Sequence, residues 1–152
     1  MSSGEVYIRK AEKRDCRRML ELIKELAHYE RALHQVTVSL EAFEDAGFGA
    51  DAVWSAYVAE QENVIIGLSL FYIRYSTWKG RKLYLEDIIV TEKFRGKGIG
   101  KRLFETTLDY GKRTNCHGMV WQVLDWNEPA INFYRKYNAA FDGEWLNGSI
   151  DY

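Results

Sequence analysis

The segment Arg95-Gly96-Lys97-Gly98-Ile99-Gly100 joins a strand-like run to a helix-like run. Glycines let a backbone approach a ligand closely, and a helix start presents unpaired N–H groups. Glycines alone could serve only a tight turn; the charges argue for more. Helix starts favour acids and disfavour cations. Here Arg95, Lys97, Lys101 and Arg102 crowd the start, with no acid between Glu92 and Glu105. The pattern predicts an anion site. A nucleotide P-loop needs Gly-Lys followed by Ser or Thr, whereas Gly98 follows Lys97. A dinucleotide fingerprint needs GxGxxG and an acid about 20 residues on; this loop reads GxGxG and lacks the acid. A pyrophosphate carried by another cofactor remains.

Glu86 and Asp87 are the second anomaly. They interrupt Leu83-Tyr84-Leu85 and Ile88-Ile89-Val90, and carboxylates are poor strand formers. A charged pair inside such a run points to function.

The elements that position these residues follow from periodicity. Val6–Arg9 reads as a first strand. Cys16, Met19, Leu20, Ile23, Leu26 and Ala27 form a one-sided apolar stripe, predicting a helix to about Tyr29 with Asp15 as its cap. A weaker helix runs from Ser39 to Ala46, with Gly47 and Gly49 marking a loop. Three strands follow, Trp54–Glu60, Val64–Tyr75 and Lys82–Val90, and their short connections make them antiparallel neighbours. The pattern then predicts a helix over Gly98–Arg113, a strand over Gly118–Val123 and a helix over Asn127–Lys136 with Pro129 in its first turn. Short strands over Ala140–Trp145 and Ser149–Tyr152 close the chain. The second half is a β-α-β-α-β series, which implies locally parallel strands, while the first half is antiparallel. The fold class is α/β, a mixed sheet flanked by helices, with a cleft where the halves meet.

A chain of 152 residues is about one domain, and residues 1–152 are read as one. Twenty-one Lys plus Arg against 22 Asp plus Glu give a net charge of −1, which excludes the basic footprint of a nucleic-acid binder. No apolar run is long enough to span a membrane, and no secretory signal is visible, so the expected location is cytoplasmic. Cys16 and Cys116 make no zinc spacing, and no metal site is expected.

The glycine loop, with Arg95-x-x-Gly98-x-Gly100 after a strand, resembles the acetyl-CoA pyrophosphate loop of the GNAT superfamily of N-acetyltransferases. Tyr84-Leu85-Glu86-Asp87 leading to Ile88-Ile89-Val90 resembles the fourth strand of its spermidine/spermine (diamine) acetyltransferases. Trp126-Asn127-Glu128-Pro129-Ala130-Ile131-Asn132-Phe133-Tyr134 resembles their late motif, and Ile23-Lys24-Glu25-Leu26-Ala27-His28-Tyr29-Glu30 their early one. The resemblance covers nearly the whole chain. It implies a single-domain GNAT-like sheet with the cofactor cleft between the fourth and fifth strands, acetyl-CoA as co-substrate and a homodimer.

Residue by residue, the resemblance implies Glu86 as the group removing the proton from an alkylammonium, whose pKa lies near ~10.4. It makes Tyr134 the general acid toward the coenzyme A sulfur. By itself Tyr134 reads as a core tyrosine on an amphipathic helix. Proton transfer from a phenol to a thiolate is uphill by roughly 2 kcal/mol in water, so Tyr134 would stabilise the thiolate first and transfer late. Backbone groups of Ile88, Ile89 and Val90 would pair with the pantetheine arm and polarise the thioester carbonyl. Gly96, Lys97, Gly98, Ile99, Gly100 and Lys101, with Arg95, would hold the pyrophosphate. Asn127 matches a cofactor-contacting Asn and also suits a helix cap. Ala130 stands beside the cofactor where those enzymes often have Ser. Tyr29, Glu30, Glu86, Trp121 and Glu144 align with the acidic and aromatic wall that takes the amine. Asn138 replaces a usual Gly and tolerates the left-handed conformation of a helix end. The implied substrate is the primary amine of a small polyamine, diamine or amino-acid-like molecule. The alternatives are a protein lysine or N-terminus as acceptor, or a non-enzymatic acyl-CoA-binding module.

Overall fold

A computed structural model describes residues 4–152. The chain forms two compact units, a larger one ending at Trp121 and a smaller one spanning residues 122–152.

The larger unit holds five strands: β1 (Val6–Lys10), β2 (Ser55–Gln61), β3 (Val64–Ser76), β4 (Gly80–Val90) and β5 (Met119–Trp121). Their spatial order follows their chain order. β1 to β4 pair antiparallel, and β4 pairs parallel with β5. The β2–β3 turn is a two-residue hairpin in which Glu62 and Asn63 both take positive φ, a twist that matches the strands.

Two helices, α1 (Cys16–Tyr29) and α2 (Leu40–Phe48), cover one face of the sheet. Met19, Leu20, Leu22 and Phe43 pack there with Val58, Leu68, Leu70 and Ile89. On the other face α3 (Ile99–Arg113) sets Ile99 and Leu103 against Ile66, Phe71, Leu83 and Val90. One buried polar contact crosses that interface: the hydroxyls of Ser69 and Thr107 lie 2.8 Å apart, each satisfying the other.

Leu83 and Val90 are seven residues apart, so strict alternation would place them on opposite faces. Both pack under α3. The register explains this: Leu70 pairs with Asp87 and the adjacent Phe71 with Leu85, leaving Glu86 as one extra residue on β4. That is a β-bulge, which shifts the phase of everything beyond it. β5 ends at the same place. Its pairing with β4 covers only Leu83, Tyr84 and Leu85. From Glu86 to Val90, the outer edge of β4 has no strand partner among the described residues.

The smaller unit contains α4 (Glu128–Arg135). Asn127 caps it, its side chain accepting from the Ala130 N–H at 3.4 Å, and Pro129 sits in the first turn. Asn138 takes φ 60° just beyond, as expected of a left-handed helix end.

Several sequence expectations need correction. The strands expected over Ala140–Trp145 and Ser149–Tyr152 are absent: residues 139–152 have no regular structure. Asp142 takes local partners instead, accepting from the Glu144 N–H and the Trp145 indole, both at 2.9 Å. Such Asx contacts compete with strand pairing. The strand expected over Gly118–Val123 shortens to Met119–Trp121. α2 runs through Gly47, where a Cβ would collide with the Trp54 ring. Asp15 precedes α1, but its carboxylate makes no cap bond. It accepts instead from Arg9 at 2.8 and 3.0 Å and from the Glu12 N–H at 2.8 Å.

Deleting Glu86 should remove the bulge and turn either Ile88–Val90 or Leu83–Leu85 to the wrong faces. The deletion variant is expected to lose cooperative thermal unfolding by near-UV circular dichroism. A sharp, wild-type-like transition would contradict the assignment.

Candidate active site

The bulge determines what gathers on the α1 face of β4. Tyr84 pairs directly with Tyr72 across the sheet, and their rings stack at 5.2 Å and 21°. The Tyr72 hydroxyl donates to Glu86 Oε1 at 2.8 Å. The Arg74 guanidinium lies 5.7 Å from the Tyr84 ring centre. Glu30 follows the last residue of α1 and joins the same electrostatic group. Burial, then the charge of Glu86, pushes its carboxyl up. Asp87 feels this most. Burial, then Glu86 and Glu30, pushes its carboxyl up to about 7. Burial and the Glu86 carboxylate likewise push the Tyr72 phenol up, so it stays a neutral donor. The result is three mutually repelling acids beside two stacked tyrosines, a group whose charge can attract a cation.

Beyond Val90 a single helical turn, Glu92–Phe94, leads into the glycine loop. Gly96 and Gly98 take φ of 77° and 80°, conformations that side-chain-bearing residues avoid. A Cβ at either would meet nothing within 4 Å, so backbone conformation rather than crowding requires glycine and the space above stays open. Gly98 starts α3 with no side-chain cap and no acid in the first turn. Lys97, Lys101 and Arg102 are exposed around these N–H groups. The Arg95 side chain, also exposed, folds back along the chain instead. Its Nε donates to the Val90 carbonyl at 2.8 Å, and its guanidinium lies 4.0 Å from Glu25 Oε2 and 5.8 Å from the Tyr29 ring centre. Glu25 Oε1 accepts from the Thr91 hydroxyl at 2.9 Å. This brace ties the strand end and the loop to α1.

The structure therefore brings Glu30 and Glu86 together and sets Tyr29 against Arg95. It does not bring Trp121 into the acidic group. Trp121 pairs with Leu85 in register, which puts it on the α3 face, edge-on to Phe104 at 5.7 Å. In the smaller unit Asn127 and Tyr134 are buried, Ala130 is half-buried and Glu144 is exposed. Phe133 packs edge-on to Tyr134 at 5.5 Å. Sequence reasoning missed Tyr72, Tyr84 and the full part played by Asp87. The Glu86-Asp87 anomaly pointed at Asp87; Tyr72 joins it only through a cross-strand register that one sequence does not reveal.

The acetyltransferase (GNAT) family matches residues 19–139. The chain belongs to the GNAT acetyltransferase family. It is 39% identical over 142 residues to a thialysine N-epsilon-acetyltransferase from Bos taurus, covering 88% of this chain and 84% of that protein. It is 33% identical over 139 residues to a spermidine/spermine N(1)-acetyltransferase-like protein 1 from Homo sapiens, covering 87% of this chain and 20% of that protein. Among solved structures, an aminoglycoside N-acetyltransferase in complex with CoA superposes with a TM-score of 0.78 at 17% identity, covering 98% of this chain and 97% of the other. That likeness concerns the fold.

As a GNAT enzyme the chain is an N-acetyltransferase that uses acetyl-CoA. Its residues fit that co-substrate. An uncapped helix start with surplus cations suits a pyrophosphate, and the free edge of Glu86–Val90 suits an extended, amide-bearing arm.

The raised Asp87 carboxyl predicts how stability follows pH. An unfolded aspartate titrates near ~3.9, whereas Asp87 in the fold titrates near about 7. Between these values the folded protein holds more protons, so this group's contribution is full below pH 4 and is lost as pH rises through 7. Glu30 acts in the same direction. Asp87→Asn should therefore flatten the fall of Tm between pH 5 and pH 8, read by differential scanning fluorimetry. An unchanged slope would contradict the carboxylate coupling.

Proposed function

We propose that this enzyme acetylates the primary amine of a small, positively charged molecule, a polyamine, diamine or amino-acid-like amine, by direct attack in a ternary complex. The observation that carries this reading is the carboxylate group Glu30, Glu86 and Asp87 beside the Tyr72–Tyr84 stack. Relatives named for thialysine and for spermidine and spermine support it.

Acetyl-CoA supplies an activated acyl thioester. Gly96 to Lys101 hold its phosphates, and backbone groups of Ile88, Ile89 and Val90 hold its arm and polarise the carbonyl. Tyr29 and Glu30 draw in the ammonium. Glu86 takes the proton from the bound amine through water, so that the nitrogen lone pair attacks the acetyl carbon. The carbon–sulfur bond breaks, Tyr134 donates a hydrogen bond and then a proton to the departing sulfur, and the second proton, leaving the acylated nitrogen, restores the phenol. Asn127 and Ala130 line the cofactor side. In this reading the two units act as one acetyltransferase domain, and Trp121 supports the sheet rather than the amine.

We also place the enzyme in the cytoplasm as a homodimer. Cys16 and Cys116 are both free thiols, which suits a reducing compartment. No helix among the described residues is long and apolar enough to cross a membrane. Leu146 and Ile150, at 97% and 88% exposure, offer apolar surface to a second copy. Light scattering after size exclusion should return twice the 17.8 kDa chain mass; a monomer at micromolar concentration would overturn the dimer.

The activity test is thiol release from acetyl-CoA with thialysine, spermidine, putrescine, lysine and a lysine-bearing peptide. At least one small amine should turn over faster than the peptide; silence across the small amines would overturn the reading. Tyr134→Phe should lower kcat while acetyl-CoA still raises Tm. At 100 times Kd that stabilisation is about 2.7 kcal/mol. Loss of the Tm shift would move Tyr134 to a binding or structural role.

A further inference from the structure

We propose that Tyr72 is a positioning residue for acetyl transfer, holding the Glu86 carboxylate in the orientation from which it accepts the proton of the amine. This rests on the role proposed for Glu86 and adds a residue to it.

The argument begins with the bulge. A regular strand residue has its side-chain direction set by the pleat and by a partner on each side. Glu86 has neither. It is the extra residue between Leu85 and Asp87, with no Cα partner on β3. On the other side β5 stops pairing at Leu85. Its side chain is exposed, and so lacks packing to fix a rotamer. Its neighbours also push it away, since Asp87 and Glu30 are acids of the same group. A carboxylate so placed would spread over several rotamers, and a general base that wanders loses rate steeply.

Tyr72 supplies what the strand does not. Its hydroxyl donates to Glu86 Oε1 at 2.8 Å. The other oxygen, Oε2, makes no hydrogen bond within the described residues and is left to meet the proton. Tyr72 is itself held firmly. It is half-buried, sits directly opposite Tyr84 in register and stacks on that ring at 5.2 Å. The hydroxyl therefore comes from a fixed direction. A neutral phenol can orient a carboxylate without cancelling the charge that attracts the amine. A lysine or arginine in its place would do so at the expense of that charge.

Tyr72→Phe removes one oxygen and keeps the stack. With the amines of the panel above, kcat should fall about tenfold, less than the roughly 100- to 10,000-fold that a general base itself contributes, while KM for acetyl-CoA and Tm stay at wild-type values. The deciding measurement is a double-mutant cycle. If Tyr72 acts through Glu86, Tyr72→Phe should have no further effect on the residual rate of Glu86→Gln. Full activity in Tyr72→Phe, or an equal fold-loss in both backgrounds, would overturn the proposal. The latter would show a role independent of Glu86, such as general support of the sheet. If Glu86→Gln itself runs at the wild-type rate, the base assignment falls and this proposal with it. A slow Glu86→Gln beside a fully active Tyr72→Phe overturns the positioning role alone.

Discussion

One extra residue in β4 governs the active face of this enzyme. The bulge at Glu86 shifts the alternation so that Leu83 before it, and Ile88 and Val90 after it, turn toward α3. Ile89 then reaches the α1 and α2 core. Without that shift the second half of the strand would present its apolar side chains to the wrong layers. The same bulge coincides with the end of β5 pairing, so from Glu86 to Val90 the outer edge has no strand partner among the described residues. An unpaired edge is ordinarily a liability for aggregation. In an enzyme that uses an extended, amide-bearing co-substrate, such an edge suits the arm, which is the role proposed for it above.

The two charged sites stand at opposite ends of that free edge. Glu86 opens it with the acidic group, and Val90 closes it with the carbonyl that accepts from Arg95. Four residue steps of strand span about 13 Å. A molecule with phosphates at one end and an acyl thioester at the other can lie along this length with each end at the site of suitable charge. The net charge of −1 is an average over two opposed fields, cations about the loop and acids about the bulge. The fold-back of Arg95 onto the strand end fits this division. Its side chain spends its hydrogen bond on the strand end, which leaves Lys97, Lys101 and the backbone N–H groups to face an anion.

Much of this was legible in the residues, and the exceptions share a cause. The apolar stripe from Cys16 to Ala27 predicts α1 because a one-sided period of 3.6 has few other solutions. Ser39 and Asn127 predict helix starts because their short polar side chains reach backbone N–H groups. Glu86 stood out because a carboxylate inside an apolar strand conflicts with its surroundings. The missing strands after Ala140 show the limit: strand propensity is a statement about partners, and Asp142 found its own partners nearby. Tyr72 shows the same limit from the other side. Its contact with Glu86, fourteen positions away, exists through hairpin register and the bulge together. The face of Trp121 likewise follows from its pairing with Leu85 and not from its aromatic character.

The strained electrostatics of the acidic group also bear on the end of the reaction. Burial, then the charges of Glu86 and Glu30, pushes the Asp87 carboxyl up to about 7. Under the proposed reading, an incoming ammonium would relieve that repulsion, so binding would favour the charged amine. Acetylation turns the amine into a neutral amide. The attraction that brought the substrate in is then gone, and the carboxylates repel one another again. Discrimination here is a difference of affinities between two states of one nitrogen. On that reading, the group proposed to attract the substrate is also suited to release the product.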